Sequence, residues 1–279
     1  MPTYRYVVAD VFTDTPLEGN QLAVFTDARE IEEELLLALA REMNFSETVF
    51  VYPAGGDGHA RIRIFTPSAE LPFAGHPILG TAFVLAQPLQ LGEIRLETAS
   101  GTIPVRLQRD GPQITFGWME QPLPTVEAYD ESQLLPALGL DRSELPVEVY
   151  DNGVRHVFVA LASEREVAGL RPDYAALDSV GEVGVNCCAG TNTRWKTRMF
   201  FPGHGIVEDA ATGSAAGPLA VHLARHGRIA WGDEIEISQG AEIGRPSTLY
   251  ARATGSADRI EHVEVGGAAV VVARGEFRL

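Results

Sequence analysis

Residues 74–86 read AGHPILGTAFVLA, and residues 212–224 read TGSAAGPLAVHLA. When Gly75 is aligned with Gly213, 138 residues further on, the small and apolar positions repeat to the end of both stretches. Each stretch predicts a helix that begins at a glycine turn. Because this offset is about half of the 279 residues, we predict a duplicated unit with two similar halves.

The start of a helix has unpaired backbone N–H groups and a partial positive charge, so it attracts anions. We expect two such starts, facing one cleft, to hold a small carboxylate between the halves.

Short strands flank both helices, and the stretch QPLP at residues 121–124 is the best linker near the midpoint. We therefore predict an α+β protein with domains at residues 1–124 and 125–279, the last strand being able to pack back on the first half. Since a helix that is apolar nearly all round must be enclosed, we expect each sheet to wrap around a central helix.

Composition restricts the function. The formal net charge of −16 disfavours nucleic acid as a partner. No apolar run is long enough to span a membrane, and the N-terminus lacks the pattern of a signal peptide. The two cysteines, Cys187 and Cys188, are adjacent, which does not indicate a disulfide framework and favours packing over chemistry. We expect a cytoplasmic protein that binds neither membranes nor nucleic acid.

Polar residues at the two glycine turns are the first candidates for chemistry. His76 lies just before Pro77, and a helix start favours its neutral form. Ser214 either caps the second helix or grips a carboxylate, and Gly213 lets the backbone approach a ligand. Asp209 lies just upstream, close enough in sequence to face the same cleft. The alternative interpretation is a solvated acid in a loop. Glu47 lies between a helix and a strand, one glutamate among many.

Several familiar sites are absent. The sequence contains neither a phosphate-binding loop nor a dinucleotide fingerprint, and Ser214 lies one position too early for the nucleophile elbow G-x-S-x-G. His222 and His226 have the spacing of metal ligands, but no third ligand is obvious, which favours partly exposed helix histidines. We expect neither a metal nor a cofactor.

Seven further stretches are distinctive: LEGN (17–20), MNFSET (43–48), RIFTP (63–67), ELPFAGHP (70–77), NGVRHVF (152–158), EDAATGSAAG (208–217) and GRPS (244–247). Through them the chain resembles the PhzF family of phenazine biosynthesis nearly end to end. The family implies a diaminopimelate-epimerase-like fold of two pseudo-symmetric domains, with the active site in the cleft between them. Such epimerases place a cysteine at each helix start, where this chain has Ala74 and Thr212, so the resemblance does not imply a two-cysteine racemase.

The resemblance also implies a reaction, the cofactor-independent isomerisation of trans-2,3-dihydro-3-hydroxyanthranilate to a reactive aminoketone. Glu47 matches the family's acid/base, which moves a proton from C3 to C1. His76 and Asp209 match residues that hydrogen-bond the amino and hydroxyl groups and assist proton movement. Further matches give the substrate-binding set, in which Ser214 and the N–H groups of Gly213 and Gly75 hold the carboxylate, with Ser46 and Asn20 in the surrounding shell.

Two alternatives stay open: an isomerase of the same family that acts on another small amino or hydroxy acid, and a non-catalytic metabolite-binding protein. The family also implies a homodimer.

Overall fold

The computed structural model describes residues 1–279, which form two compact units. The first unit contains Met1–Glu120 and Gly266–Leu279, and the second contains Gln121–Val265. The predicted division at residue 124 differs because Gln121 is bonded within the second unit. Its backbone N–H donates to the Val263 carbonyl at 2.9 Å, and its side chain donates to the Gly213 carbonyl at 2.7 Å.

The first unit contains the first eight strands of the chain, two helices of which the second is central, and the last strand of the chain. In order they are β1 (Thr3–Val11), β2 (Asn20–Phe25), α1 (Glu33–Met43), β3 (Glu47–Tyr52), β4 (Ala60–Phe65), β5 (Glu70–Leu71), α2 (Gly75–Leu89), β6 (Glu93–Thr98), β7 (Gly101–Asp110), β8 (Gln113–Glu120) and, at the end, β18 (Ala269–Arg278).

The second unit follows the same style with more short helices. Its elements are β9 (Thr125–Ala128), α3 (Leu134–Leu138), β10 (Glu148–Asp151), β11 (Arg155–Ala160), α4 (Glu164–Gly169), α5 (Tyr174–Asp178), β12 (Gly184–Thr191), β13 (Arg194–Phe201), β14 (Ile206–Asp209), α6 (Gly213–Arg225), β15 (Glu234–Gln239), β16 (Ser247–Gly255) and β17 (Ile260–Gly267). Single turns of 3₁₀ helix lie at Pro202–His204 and Ala241–Ile243.

Strand pairing is the same in the two units. In the first, β2 pairs with β3 and β4 with β6 in parallel, while β1–β2, β3–β4 and β6–β7 are antiparallel. In the second, β11 pairs with β12 and β13 with β15 in parallel, while β10–β11, β12–β13 and β15–β16 are antiparallel. Two independent parallel crossovers at matching places are the structural counterpart of the predicted duplication.

The last strand completes the first unit. Antiparallel pairing joins β18 to β1, just as β9 pairs with β10 in the second unit. The chain returns to the first unit after β17, in agreement with the prediction that the last strand can pack back on the first half.

A buried helix lies at the centre of each unit, as the apolar pattern predicted. Every residue of α6 except Arg225 is buried, and α2 is buried without interruption from Gly75 to Phe83. The helix α2 contacts strands on several sides, including β1, β2, β6, β8 and β18. Gly80 permits this close approach, because a Cβ there would lie 2.6 Å from side-chain atoms of both Val11 and Leu22.

The strand β12 has no clear strand pattern in the sequence, because its residues are mostly small or polar. This strand contains Cys187 and Cys188, which are fully buried and free, so they pack in the interior as expected. Burial raises the pKa of the Cys188 thiol to about 12, which leaves it protonated and unreactive near neutral pH. None of the helices has both the length and the hydropathy required to span a membrane.

Candidate active site

Both central helices begin without a side-chain cap. The cap position of α2 is Ala74, which has no side-chain acceptor. The cap position of α6 is Thr212, whose Oγ1 donates to Asp209 Oδ2 at 2.7 Å rather than capping the helix. Ser163 and Asp173 cap α4 and α5, whereas α1 and α3 share the lack of a side-chain cap with the two central helices. The cap residues therefore supply no side-chain acceptor to the first turns of α2 and α6.

The first unit brings Glu47 and His76 together. Glu47 is the first residue of β3, and His76 is the second residue of α2. Glu47 Oε2 lies 3.4 Å from His76 Nε2, and both side chains are buried. The arrangement places a carboxylate and an imidazole beside the uncapped helix start that contains Gly75.

Asn20 and Ser46 extend this group. Asn20 Nδ2 lies 3.4 Å from His76 Nδ1, and Ser46 Oγ donates to Asn20 Oδ1 at 3.3 Å. Because Asn20 contacts Nδ1, the other ring nitrogen of His76 faces Glu47. The four predicted residues therefore form one chain of contacts from Ser46 to Glu47.

Burial sets the protonation state of His76. It lowers the pKa of the imidazole to about 3, so the ring is neutral near neutral pH. Neutral His76 was expected from the helix start, but burial is the larger physical cause.

In the second unit, Asp209 and the start of α6 are held by Gln239. The Gln239 amide nitrogen donates to the Asp209 carbonyl and to Thr212 Oγ1, each at 2.9 Å. Its amide oxygen accepts from the Thr212 backbone N–H and from Thr197 Oγ1, each at 3.2 Å. Gln239 was not singled out from sequence, since only the fold brings the end of β15 to this loop.

Ser214 is the second residue of α6, so it does not cap the helix. Its Oγ lies 2.9 Å from Nε2 of His156, a fully buried residue of β11. Its backbone carbonyl accepts from Asn152 Nδ2 at 2.9 Å. His156 was also missed by the residue-level reasoning, although it lies within the stretch NGVRHVF that carries the family resemblance.

His222 and His226 contact Glu148. Glu148 Oε2 lies 2.9 Å from His226 Nε2 and 3.4 Å from His222 Nδ1, so a third possible metal ligand exists after all. His222 is fully buried, contrary to the expected partial exposure. However, Tyr150 donates to the same carboxylate oxygen at 2.7 Å, and the Arg225 guanidinium lies 3.6 Å from the other. A neighbouring cation and a competing donor disfavour a divalent ion, so we interpret this cluster as a hydrogen-bond network.

The comparisons with known proteins identify the family and the fold. Residues 9–275 match the PhzC-PhzF family model, described as phenazine biosynthesis-like protein. The chain belongs to this family. A relative from Pseudomonas aeruginosa, named trans-2,3-dihydro-3-hydroxyanthranilate isomerase, is 52% identical over 277 residues, which cover 99% of this chain and all of the relative.

Two solved structures show the fold. A PhzF-family phenazine biosynthesis protein from Bacillus anthracis superimposes over the full length of both chains with a TM-score of 0.86 at 24% identity. A hydroxyproline epimerase from Agrobacterium vitis has a TM-score of 0.66 at 12% identity, covering 98% of this chain and 92% of that one. The predicted α+β, epimerase-like fold and the predicted family are both confirmed.

Proposed function

We propose that this chain isomerises trans-2,3-dihydro-3-hydroxyanthranilate, the reaction for which its Pseudomonas aeruginosa relative is named. The observation that carries the proposal is the pairing of buried Glu47 with neutral His76 across 3.4 Å. A carboxylate held in this way beside a neutral imidazole is suited to accept and return a proton.

In the proposed reaction, Glu47 removes the proton from C3 of the substrate. The C3–H electron pair forms a C3=C4 double bond, the C4=C5 pair moves to C5=C6, and the C6=C1 pair takes the proton from Glu47 at C1. The enol at C3 then tautomerises to the ketone. One carboxyl group serves both steps, because it is protonated by the first, and the residues themselves supply the chemistry without a cofactor.

The other residues divide between binding and assistance. His76 and Asp209 hydrogen-bond the amino and hydroxyl groups, with Asn20 and Ser46 supporting His76. The carboxylate binds the Ser214 hydroxyl and the N–H groups of Gly213 and Gly75. The uncapped starts of α2 and α6 support this role, because their N–H groups have no side-chain acceptor.

The proposal extends to the setting of the protein. We place it in the cytoplasm as a homodimer that binds neither nucleic acid nor membranes. The formal net charge of −16 supports the exclusion of nucleic acid, since phosphates are repelled.

The test is incubation with trans-2,3-dihydro-3-hydroxyanthranilate in heavy water, followed by proton NMR and absorbance. We expect the substrate to disappear and coloured condensation products to form. Retention of the C3 hydrogen at C1 would identify one shielded acid/base, whereas deuterium at C1 would mean that this group exchanges with solvent. An unchanged substrate with folded protein would contradict the proposal. Turnover of another small cyclic amino acid would then identify a different family isomerase, and binding without any turnover would indicate a metabolite-binding protein.

A further inference from the structure

Behind the Ser214 hydroxyl lies a buried histidine that the proposed mechanism does not use. His156 is fully buried on β11, and its Nε2 lies 2.9 Å from Ser214 Oγ. Burial lowers the pKa of His156 to about 3, so the ring is neutral and carries its single proton on one nitrogen. Which nitrogen carries it decides the direction of the hydrogen bond to Ser214.

The neighbouring amide of Asn186 answers this question. Asn186 Nδ2 donates to the Gly184 carbonyl at 2.9 Å and also lies 3.4 Å from the Val157 carbonyl. Two carbonyl oxygens around this atom identify it as the NH₂ group, and it lies 3.3 Å from His156 Nδ1. Since Nδ1 faces a donor, it is the acceptor nitrogen, and the proton belongs on Nε2.

The ring is also held sterically. Gly184, the first residue of β12, has no side chain, and a Cβ at this position would lie 2.9 Å from His156 Nδ1. The backbone of β12 therefore packs directly against the imidazole and limits its rotation.

With the proton on Nε2, His156 donates to Ser214 Oγ. The oxygen is then the acceptor, and the hydroxyl proton of Ser214 is free to point to a second acceptor. His156 is the hydrogen-bond partner that the structure shows for the Ser214 side chain, so the hydroxyl proton is available to a bound ligand. With the opposite tautomer, Ser214 would donate to His156 and would present only lone pairs to a carboxylate.

We propose that His156 is a positioning residue that turns the Ser214 hydroxyl proton toward the substrate carboxylate, with Asn186 fixing the tautomer of the ring. The choice of a carboxylate rests on the proposed function, whereas the tautomer does not.

The tautomer is tested without substrate. Long-range ¹H–¹⁵N correlation spectra of the wild-type protein report which imidazole nitrogen is protonated, and His156→Gln assigns the signals. We expect the Nε2–H form across the neutral range. The Nδ1–H form, or a mixture of the two, would overturn the proposal.

The effect on binding is tested with four variants. In His156→Leu we expect KM to rise about tenfold or more with little change in kcat, because a charge-assisted hydrogen bond is lost equally from bound substrate and transition state. His156→Gln retains a donor amide and should recover most of the loss, which a purely structural role would not explain. Ser214→Ala should raise KM similarly, and the double variant His156→Leu with Ser214→Ala should be no worse than Ser214→Ala alone.

Additive losses in the double variant, or a fall in kcat at unchanged KM, would contradict the positioning role. Thermal unfolding of each variant identifies any failure to fold. If His156→Leu does not fold, the comparison of His156→Gln with the wild type tests the proposal.

A second experiment tests the positioning role independently of the reaction. It measures the binding of 3-hydroxyanthranilate by calorimetry, with 2-aminophenol as the matched ligand that lacks a carboxylate. If the wild type binds the carboxylate ligand without turning over the substrate, the reaction is wrong. Equal effects of His156→Leu on both ligands would refute the positioning role.

Discussion

The two units share one scaffold but place different chemistry at corresponding positions. Glu47 begins β3, where it pairs in register with Leu22, whereas Gly184 begins β12, where it pairs with His156. The second residue of the central helix is His76 in one unit and Ser214 in the other. The first unit thus holds a carboxylate beside an imidazole, and the second holds a hydroxyl backed by an imidazole.

This difference shows how a duplicated fold divides its work. The uncapped helix start is common to both units, and so is a buried neutral histidine. In the first unit that histidine contacts an ionisable acid, which suits proton transfer. In the second it contacts a serine, which suits binding of an anion. The scaffold determines where the polar groups lie, and the roles that we propose for the two halves differ through a few residues at those places.

The largest effect is expected from Glu47→Gln. Since Gly184 has the corresponding place in the second unit, that place holds no second base, and in the proposed mechanism kcat should fall about a thousandfold or more. The variant should fold normally, because the amide has nearly the same shape. Steady-state turnover measures the loss, and Glu42→Gln, on the exposed side of α1, is the matched control. A nearly active Glu47→Gln would show that the division of labour is wrong.

The buried histidines give the next largest effect, on stability. The folded-state pKa of His76 and of His156 is about 3, below the usual 6.5. As the pH falls below about 6.5, the unfolded chain binds a proton that the folded chain does not, so stability decreases with falling pH. Each histidine should contribute about 3 kcal/mol of this loss by about pH 4.5.

Replacing one histidine tests whether the halves are equivalent in this respect. Denaturant unfolding at several pH values gives the free energy of unfolding as a function of pH. Its slope should show that His76→Gln and His156→Gln each reduce the uptake of protons on unfolding by about one. His59→Gln, at an exposed position, is the reference for a histidine substitution on the surface. A flattening in one variant alone would mean that one of the two sites admits a charged ring.

Much of this comparison was visible in the sequence, because its signals are local. Glycine followed by a run of small and apolar residues specified where α2 and α6 begin, and the structure starts them at Gly75 and Gly213. His76 and Ser214, which follow those glycines, were predicted as site residues for the same reason. Alternating residues 60–65 likewise form β4.

The remaining features depend on contacts that are distant in sequence. The strand β12 was missed because its small and polar residues are buried on both sides by neighbours that no local pattern reveals. The pairing of β18 with β1 joins the two ends of the chain. Gln239 lies 27 residues from Thr212, so its role required the parallel crossover from β13 to β15.

A smaller effect is expected from Thr212→Val, which removes the hydroxyl that donates to Asp209. Ala74 has this place in the first unit, where no acid needs to be oriented. We expect turnover to fall about tenfold, as for one hydrogen bond to a charged group, with recovery in Thr212→Ser. Thr197→Val is the matched control, because the Thr197 hydroxyl donates to the side chain of the same Gln239. Equal losses in both valine variants would assign the effect to Gln239 instead.

The smallest expected effect comes from giving the first unit the cap that it lacks. Ala74 has the extended backbone of a cap residue, and Ala74→Ser supplies an acceptor for the N–H of His76. Because Pro77 has no N–H to offer, the gain should be modest, about 0.5–1 kcal/mol in the free energy of unfolding. If the first-turn N–H groups bind the substrate carboxylate, the new hydroxyl competes with it, so KM should rise while stability increases. A stabilised variant with unchanged KM would show that the start of α2 does not bind the carboxylate, leaving that task to α6 alone.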